Sequence, residues 1–264
     1  MRGMRLLFAA AAAAALANAA QAAELKVLSA GAMRGVLQEL VPEFEKKTGD
    51  KVKLEYATAG AVEKKVADDE DIDVAIMNKP RLDKLVRQAK VVGGTVKTLA
   101  KAQIGMAVKH GAPKPDISSP DAFKQALLKA KSIAYVDPAS GGTSGIHLGQ
   151  VIEKLGIAAE IKPKTKLVAT TPGQGSPRVG EVVAKGEAEL GLQPISELME
   201  VQGIDIVGPL PKELQTPDLT YSAASPTFAD QPIAAKAFID FLNSPDAANA
   251  YKSKGLEYVP PPPE

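Results

Sequence analysis

Leu25-Lys26-Val27-Leu28 runs into Ser29-Ala30-Gly31-Ala32-Met33, and Val52-Lys53-Leu54-Glu55-Tyr56 runs into Thr58-Ala59-Gly60-Ala61. Each strand-like run ends at a hydroxyl residue and two tiny residues, and a helix-like segment follows. The device returns where Ser132 to Val136 leads into Asp137-Pro138-Ala139-Ser140-Gly141-Gly142-Thr143-Ser144-Gly145. This repetition restricts the fold more than any other feature of the sequence. Strands alternating with helices predict parallel sheets covered by helices, and so an α/β chain.

The turns also predict where chemistry sits. In open α/β sheets, ligands bind at the carboxyl ends of strands. Small side chains let a ligand approach backbone N–H groups, and a helix start favours negative charge. The candidate ligand-binding residues are therefore Ser29, Ala30, Gly31 and Ala32 in the first turn, and Thr58, Ala59 and Gly60 in the second. Ser140, Gly142, Thr143 and Ser144 represent the third. Met77 at the end of a third strand, Gly173 and Gln174 in the turn Thr171 to Gly175, and Gln193 at the end of a short strand complete the set. The same small residues would also suit close strand–helix packing. Arg34 and Arg178 lie beside candidate turns, and the spacing favours a solvated helix position for Arg34. His147 follows the third turn and reads better as packed than as ligand-binding.

Between the turns, Met33, Val36, Leu37, Leu40, Val41 and Phe44 recur at helical spacing. Pro42 falls inside that helix and is expected to kink or restart it, since proline cannot donate to the preceding turn. Asp71 to Ile76 alternates polar and apolar residues and predicts a strand ending at Met77. Gln103 to Lys109 alternates again. The Gly- and Pro-bearing stretch His110 to Asp116 suits a linker. Pro232 to Leu242 predicts a helix, and Ser244 is expected to cap another.

Ahead of all this, Arg2 and Arg5 precede an apolar run from Leu6 to Ala17, and Ala20-Gln21-Ala22 suits a cleavage site. Residues 1–22 therefore read as a secretory signal peptide, too short to span a membrane. Removing it takes away two of the 32 basic residues and none of the 31 acidic ones, which leaves a nearly neutral chain. Such balance argues against nucleic-acid binding. There is no cysteine, so disulfides, thiol catalysis and a lipid-bearing cysteine are excluded. The absence of tryptophan weighs against a sugar-stacking site.

Enzymatic motifs fail on inspection. Gly141 to Gly145 lacks the central serine of a nucleophile elbow. Arg178 stands where the dinucleotide fingerprint opened by Gly173-Gln174-Gly175 needs its third glycine. No His/Asp/Glu cluster has metal-ligand spacing. The sequence reads as a non-enzyme without metal or cofactor.

Val27-Leu28-Ser29-Ala30-Gly31-Ala32-Met33, Asp73-Val74-Ala75-Ile76, Asp137-Pro138 and Gly186-Glu187-Ala188-Glu189-Leu190-Gly191 together resemble periplasmic solute-binding proteins of ABC importers, in the molybdate-binding branch. The resemblance covers the whole mature chain. It implies a two-lobed type II periplasmic binding protein fold, each lobe a mostly parallel sheet flanked by helices, with crossover strands near Ile104 to Lys109 and Thr220 to Ala224. Lobe 1 would then comprise 23–107 and 220–264, and lobe 2 would comprise 108–219. The implied function is capture of a small anion between the lobes and delivery to an ABC permease, by a monomer in the periplasm. A molybdate-like oxyanion is the leading ligand, and a carboxylate-bearing metabolite is the alternative. The chain departs from the branch in three places: hydroxyls expected at Ala32, Ala59 and near Pro194 are missing, which shifts weight from hydroxyls to backbone amides.

Overall fold

The computed structural model describes residues 22–170 and 175–262. Apart from Ala22, the expected signal peptide lies outside these residues, as do Gly173 and Gln174. The chain opens with β1 (Glu24–Ala30), α1 (Arg34–Thr48), β2 (Lys51–Ala57), α2 (Ala59–Ala67) and β3 (Val74–Asn78). A single 3-10 turn, Gly31–Met33, joins β1 to α1. β1 is the hub of this region and pairs in parallel with both β2 and β3. The alternation of strand and helix dictates that arrangement, because parallel neighbours need a crossover.

α3 (Lys79–Arg87) and β4 (Lys97–Ala102) follow, and the chain then passes to a second sheet through Gln103. That sheet is built from β5 (Ile104–Lys109), then α4 (Pro120–Lys129), β6 (Ile133–Val136), α5 (Thr143–Lys154), α6 (Ala158–Ile161), β7 (Thr165–Val168), α7 (Val179–Ala184), β8 (Leu190–Pro194), α8 (Ile195–Leu198) and β9 (Ile204–Pro209). β10 (Thr220–Ala224) returns to the first sheet, and α9 (Pro232–Leu242), α10 (Ala248–Ser253) and β11 (Leu256–Tyr258) close the chain. The strand orders are β11-β4-β10-β3-β1-β2 and β7-β6-β8-β5-β9.

Both sheets are mixed, with most strands of each running in one direction and a minority against them. β10 runs antiparallel between β3 and β4, and β5 runs antiparallel between β8 and β9. These are the strands beside the two passages between sheets, where the chain arrives without a covering crossover helix. β5 belongs wholly to the second sheet, so the passage falls at Gln103, before Ile104. His110 lies beyond it on the surface, its Nδ1 2.9 Å from Asp205 Oδ1.

Local departures from the sequence expectations have physical causes. α1 continues unbroken through Pro42. The carbonyl that proline leaves without a helical donor belongs to Gln38, on the exposed face where water can serve it. β3 is buried at every position instead of one-sided, since neighbours and helices cover both faces. Asp73, just before it, is also buried and accepts hydrogen bonds from Lys26 N and Gln231 N, each at 2.9 Å. Ser244 does not cap a helix; its hydroxyl donates to Phe241 O at 2.7 Å.

The apolar stripe of α1 is fully enclosed. Phe44 packs against Phe238 and Phe241 of α9 with ring centroids 4.9 and 5.6 Å apart, which ties the closing helices to the first sheet. Truncating such a buried ring to alanine costs about 3–5 kcal/mol.

Candidate functional site

The carboxyl ends of β1, β2, β6 and β8 converge on an enclosed cavity of about 30 Å³. Its first wall comes from Ala30, Gly31 and Ala32 after β1 and from Ala57, Thr58 and Ala59 after β2. The second sheet contributes Val136, Gly142, Thr143 and Ser144 around the start of α5, then Ser176, Pro177 and Glu197; Tyr221 of β10 closes the floor.

The two halves touch directly at the rim. Thr58 Oγ1 donates to Ser140 O at 2.7 Å, and Gly60 N donates to Gly141 O at 3.1 Å. Thr58 also caps α2, its hydroxyl accepting from Ala61 N. Gly60 and Gly141 approach so closely that a Cβ on Gly60 would stand 3.0 Å from Gly141 O. Gly31 meets the opposite wall in the same way: a Cβ there would lie 2.2 Å from Ser176 Oγ and 2.9 Å from Glu197 Oε2. Only a bare backbone lets these surfaces meet. Gly142 and Gly145 of the third turn do a different job, facing Val136 of their own lobe. A Cβ on Gly145 would be 2.3 Å from Val136 O, so this glycine permits helix α5 to pack on β6.

Glu197, on the short helix α8, is the chemical centre of the second wall. Gln193 Nε2 donates to its Oε2 at 2.8 Å and to Pro177 O at 2.9 Å, while Gln193 Oε1 accepts from Val179 N. Glu197 keeps a little accessible surface toward the cavity but is otherwise wrapped in protein. That burial, reinforced by the charge of Glu200, pushes its carboxyl up to about 8, against the opposing pull of Arg34, Gln193 and Arg178. The group therefore changes protonation near neutrality, unlike an ordinary carboxylate.

Arg34, at the start of α1, reaches across from the first sheet. Its guanidinium lies 4.2 Å from the centroid of the Tyr56 ring, Nη2 donates to Ser176 Oγ at 3.2 Å, and Nε is 3.6 Å from Glu200 Oε2. The reading of Arg34 as a solvated helix residue is thus corrected: stacking and cross-cleft contacts hold it in place. Burial raises Glu200 as well, with Arg34 and Arg178 drawing it back down. Arg178 Nη1 stands 3.5 Å from Glu200 Oε2, and its Nε pairs with Glu181 at 2.7 Å. The Tyr56 hydroxyl is raised to about 12, chiefly by burial.

The enclosed cavity shares Gly31, Ser176, Pro177 and Glu197 with a second small space lined by Arg34, Arg178, Gln193 and Glu200. Arg34, Arg178 and Glu200 in turn border an outer groove of about 610 Å³ that reaches Gln38, Glu39, Met199 and Lys254. A line of shared walls therefore leads from solvent past two guanidinium groups to Glu197.

Among the residues singled out from sequence, Ala30, Gly31, Ala32, Thr58, Ala59, Gly142, Thr143 and Ser144 line the cavity, and Gln193 lines the adjoining space. Thr143 Oγ1 is buried with no hydrogen-bond partner among the described residues. Ser29 is fully buried and turns its hydroxyl to Ala30 O, Met77 is fully buried within β3, and Gly60 and Ser140 form the rim contact instead of lining the cavity. His147 is packed, with Nε2 2.8 Å from Leu214 O. Ser176, Tyr221 and Glu197 escape sequence reasoning. Glu197 had one signal: it follows the carboxyl end of β8, the same strand-end rule that located the other turns. Among the described residues no group of His, Asp or Glu could hold a metal, and no helix is long and apolar enough to cross a membrane.

Comparison with known proteins places this geometry. Residues 25–257 match the model of the bacterial extracellular solute-binding protein family. An aconitate isomerase from Pseudomonas sp. is 41% identical over 89% of this chain and 88% of its own length. The molybdate-binding protein of Azotobacter vinelandii is 28% identical over 91% of this chain and 92% of its own. Among solved structures, the sulfate-binding protein of Mycobacterium tuberculosis superposes with a TM-score of 0.71 at 19% identity, covering 90% of this chain and 88% of that one. The two-lobed α/β architecture is that of type II periplasmic binding proteins. This chain belongs to the bacterial extracellular solute-binding protein family.

Proposed function

We propose that this member of the solute-binding family captures a small polycarboxylate between its lobes, with aconitate the leading candidate. The carrying observation is Arg34, stacked on Tyr56 and fixed at the mouth of the cavity by Ser176 and Glu200. Planar guanidinium groups match carboxylates bidentately, and Arg178 stands one step further out along the same path. The hydroxyls missing at Ala32, Ala59 and near Pro194 weigh against a tetrahedral oxyanion site, while Thr58, Thr143 and Ser144 offer hydroxyls at neighbouring positions of the cavity wall.

Ligand access requires the lobes to part, and closure is driven by whatever extra contacts the ligand makes in the closed form. We place the lobe division at Gln103 and in the segment between β9 and β10. Export by residues 1–22, action as a periplasmic monomer and docking on an ABC permease complete the binding reading.

The decisive experiment is calorimetry of the purified mature protein against molybdate, tungstate, sulfate, citrate, tricarballylate and both isomers of aconitate. Tricarboxylates are expected to bind and the inorganic oxyanions to fail. Tight molybdate binding with no tricarboxylate binding would restore the oxyanion reading, which the Azotobacter relative favours. A catalytic reading is favoured by the 41% identical isomerase and by an ionisable group in the cleft, where simple capture has no use for one.

A further inference from the structure

We propose that Glu197 is the acid–base group of a proton-transfer activity in the cleft once the lobes part to admit the substrate, moving a proton between the two allylic carbons of an unsaturated tricarboxylate. This rests on the reading of the cleft as a polycarboxylate site. The geometry supports it in three ways. Gln193 pins the Glu197 carboxyl through Oε2 and fixes its orientation. That same oxygen approaches the bare backbone of Gly31 across the cleft, where residues of both sheets line the cavity. Finally, Arg34 and Arg178, both paired with Glu200, share the adjoining small space with Glu197, and the hydroxyl-bearing Tyr221 lines the cavity with it. The cations suit the substrate carboxylates, and burial, with Glu200 beside it, keeps Glu197 from behaving as a permanently ionised carboxylate.

The step balances without redox or a co-reactant. Ionised Glu197 takes a proton from the saturated methylene carbon. The C–H electron pair becomes a new carbon–carbon double bond, and the former double-bond pair takes the proton back from Glu197 at the distal allylic carbon. The double bond has moved one position, and its cis or trans geometry is set by the bound conformer, with no rotation about a double bond. Charge that develops on the flanking carboxylate falls toward Arg34 and the amides of the Gly31 turn, where preorganised donors stabilise it.

A general base works best when its pKa lies near the operating pH, and positioned proton transfer contributes roughly 10²–10⁴-fold. The test follows conversion of cis- to trans-aconitate by proton NMR in D₂O, for wild type and Glu197→Gln, alongside calorimetric binding of the unreactive saturated analogue tricarballylate. Wild type is expected to interconvert the isomers, to exchange methylene protons, and to gain kcat/KM as pH rises through the Glu197 transition. Glu197→Gln should bind tricarballylate within a few-fold of wild type while losing at least about 100-fold in turnover. If wild type binds tricarballylate yet neither isomerises nor exchanges, the proposal is overturned and the binding reading stands. A Glu197→Gln variant that turns over within tenfold of wild type also overturns it. Failure to bind any tricarboxylate overturns both.

Discussion

The two walls of the cleft are made from different materials. The first-lobe wall is backbone and small side chains: Ala30, Gly31, Ala32, Ala57, Thr58 and Ala59. The second-lobe wall carries the titratable chemistry, with Glu197 held by Gln193 and backed by Glu200 and Arg178. Arg34 crosses from the first side to Ser176 and Glu200. A wall of amides can serve almost any anion, whereas a buried carboxyl that shares its space with two guanidiniums responds to pH near neutrality. The difference teaches that bare backbone and buried carboxyls come from opposite sheets and meet at the cavity between them.

The largest expected effect tests the chemical wall through its linkage to folding. Glu197 holds its proton in the folded protein up to about 8, while the unfolded chain releases it near 4.5. The folded state binds the extra proton between those values, so stability should fall as pH rises through that window and level off on either side. The limiting slope is about 1.4 kcal/mol per pH unit. Urea titrations from pH 4 to pH 9 should show this slope in wild type and a flatter one in Glu197→Gln; Glu200, raised in the same direction, supplies what remains. Equal slopes would mean that Glu197 is ionised in the closed form.

Next comes the bare wall. Gly31→Val would drive its side chain into Ser176 and Glu197. Overpacking of about 1–3 kcal/mol should then oppose closure and weaken tricarboxylate binding by about 10- to 100-fold in calorimetry, with the far-UV spectrum unchanged. Wild-type affinity in this variant would show that the walls do not meet in the bound state.

Arg34→Met removes the crossing charge while keeping much of the packing on Tyr56. Loss of a charge-assisted contact of about 1.5 kcal/mol predicts a roughly tenfold weaker Kd. The Glu197 transition should also move upward, because Arg34 pulls that carboxyl down. The smallest effect is Thr58→Val, which deletes the bond to Ser140 O and the cap on α2 together. Caps of this kind are worth about 1 kcal/mol, read as a modest fall in Tm. No change in Tm would show that water replaces both bonds.

Much of the first wall was legible in the sequence because its determinants are local. The strand, the small turn and the helix of Gly31 and of Thr58 lie within a few residues of one another, and periodicity reveals each. Even so, Ser29 and Met77 were expected at the ligand and are buried in strands instead, since pattern alone does not tell which face of a strand end looks into the cleft. The second wall was less legible. Glu197 sits on a helix of four residues, too short to have a period, and its raised pKa arises from burial beneath distant segments.

The sequence by itself therefore determined the strand–helix alternation and the small-residue turns at the strand ends. Tertiary structure alone decided that β10 and β5 return antiparallel, that Arg34 stacks on Tyr56 and faces Glu200, and that Glu197 is enclosed against Gly31. The reason is range. Turn chemistry and periodicity act between near neighbours, whereas desolvation and cross-lobe charge pairing arise only when residues as far apart as Arg34 and Ser176 are brought within hydrogen-bond reach.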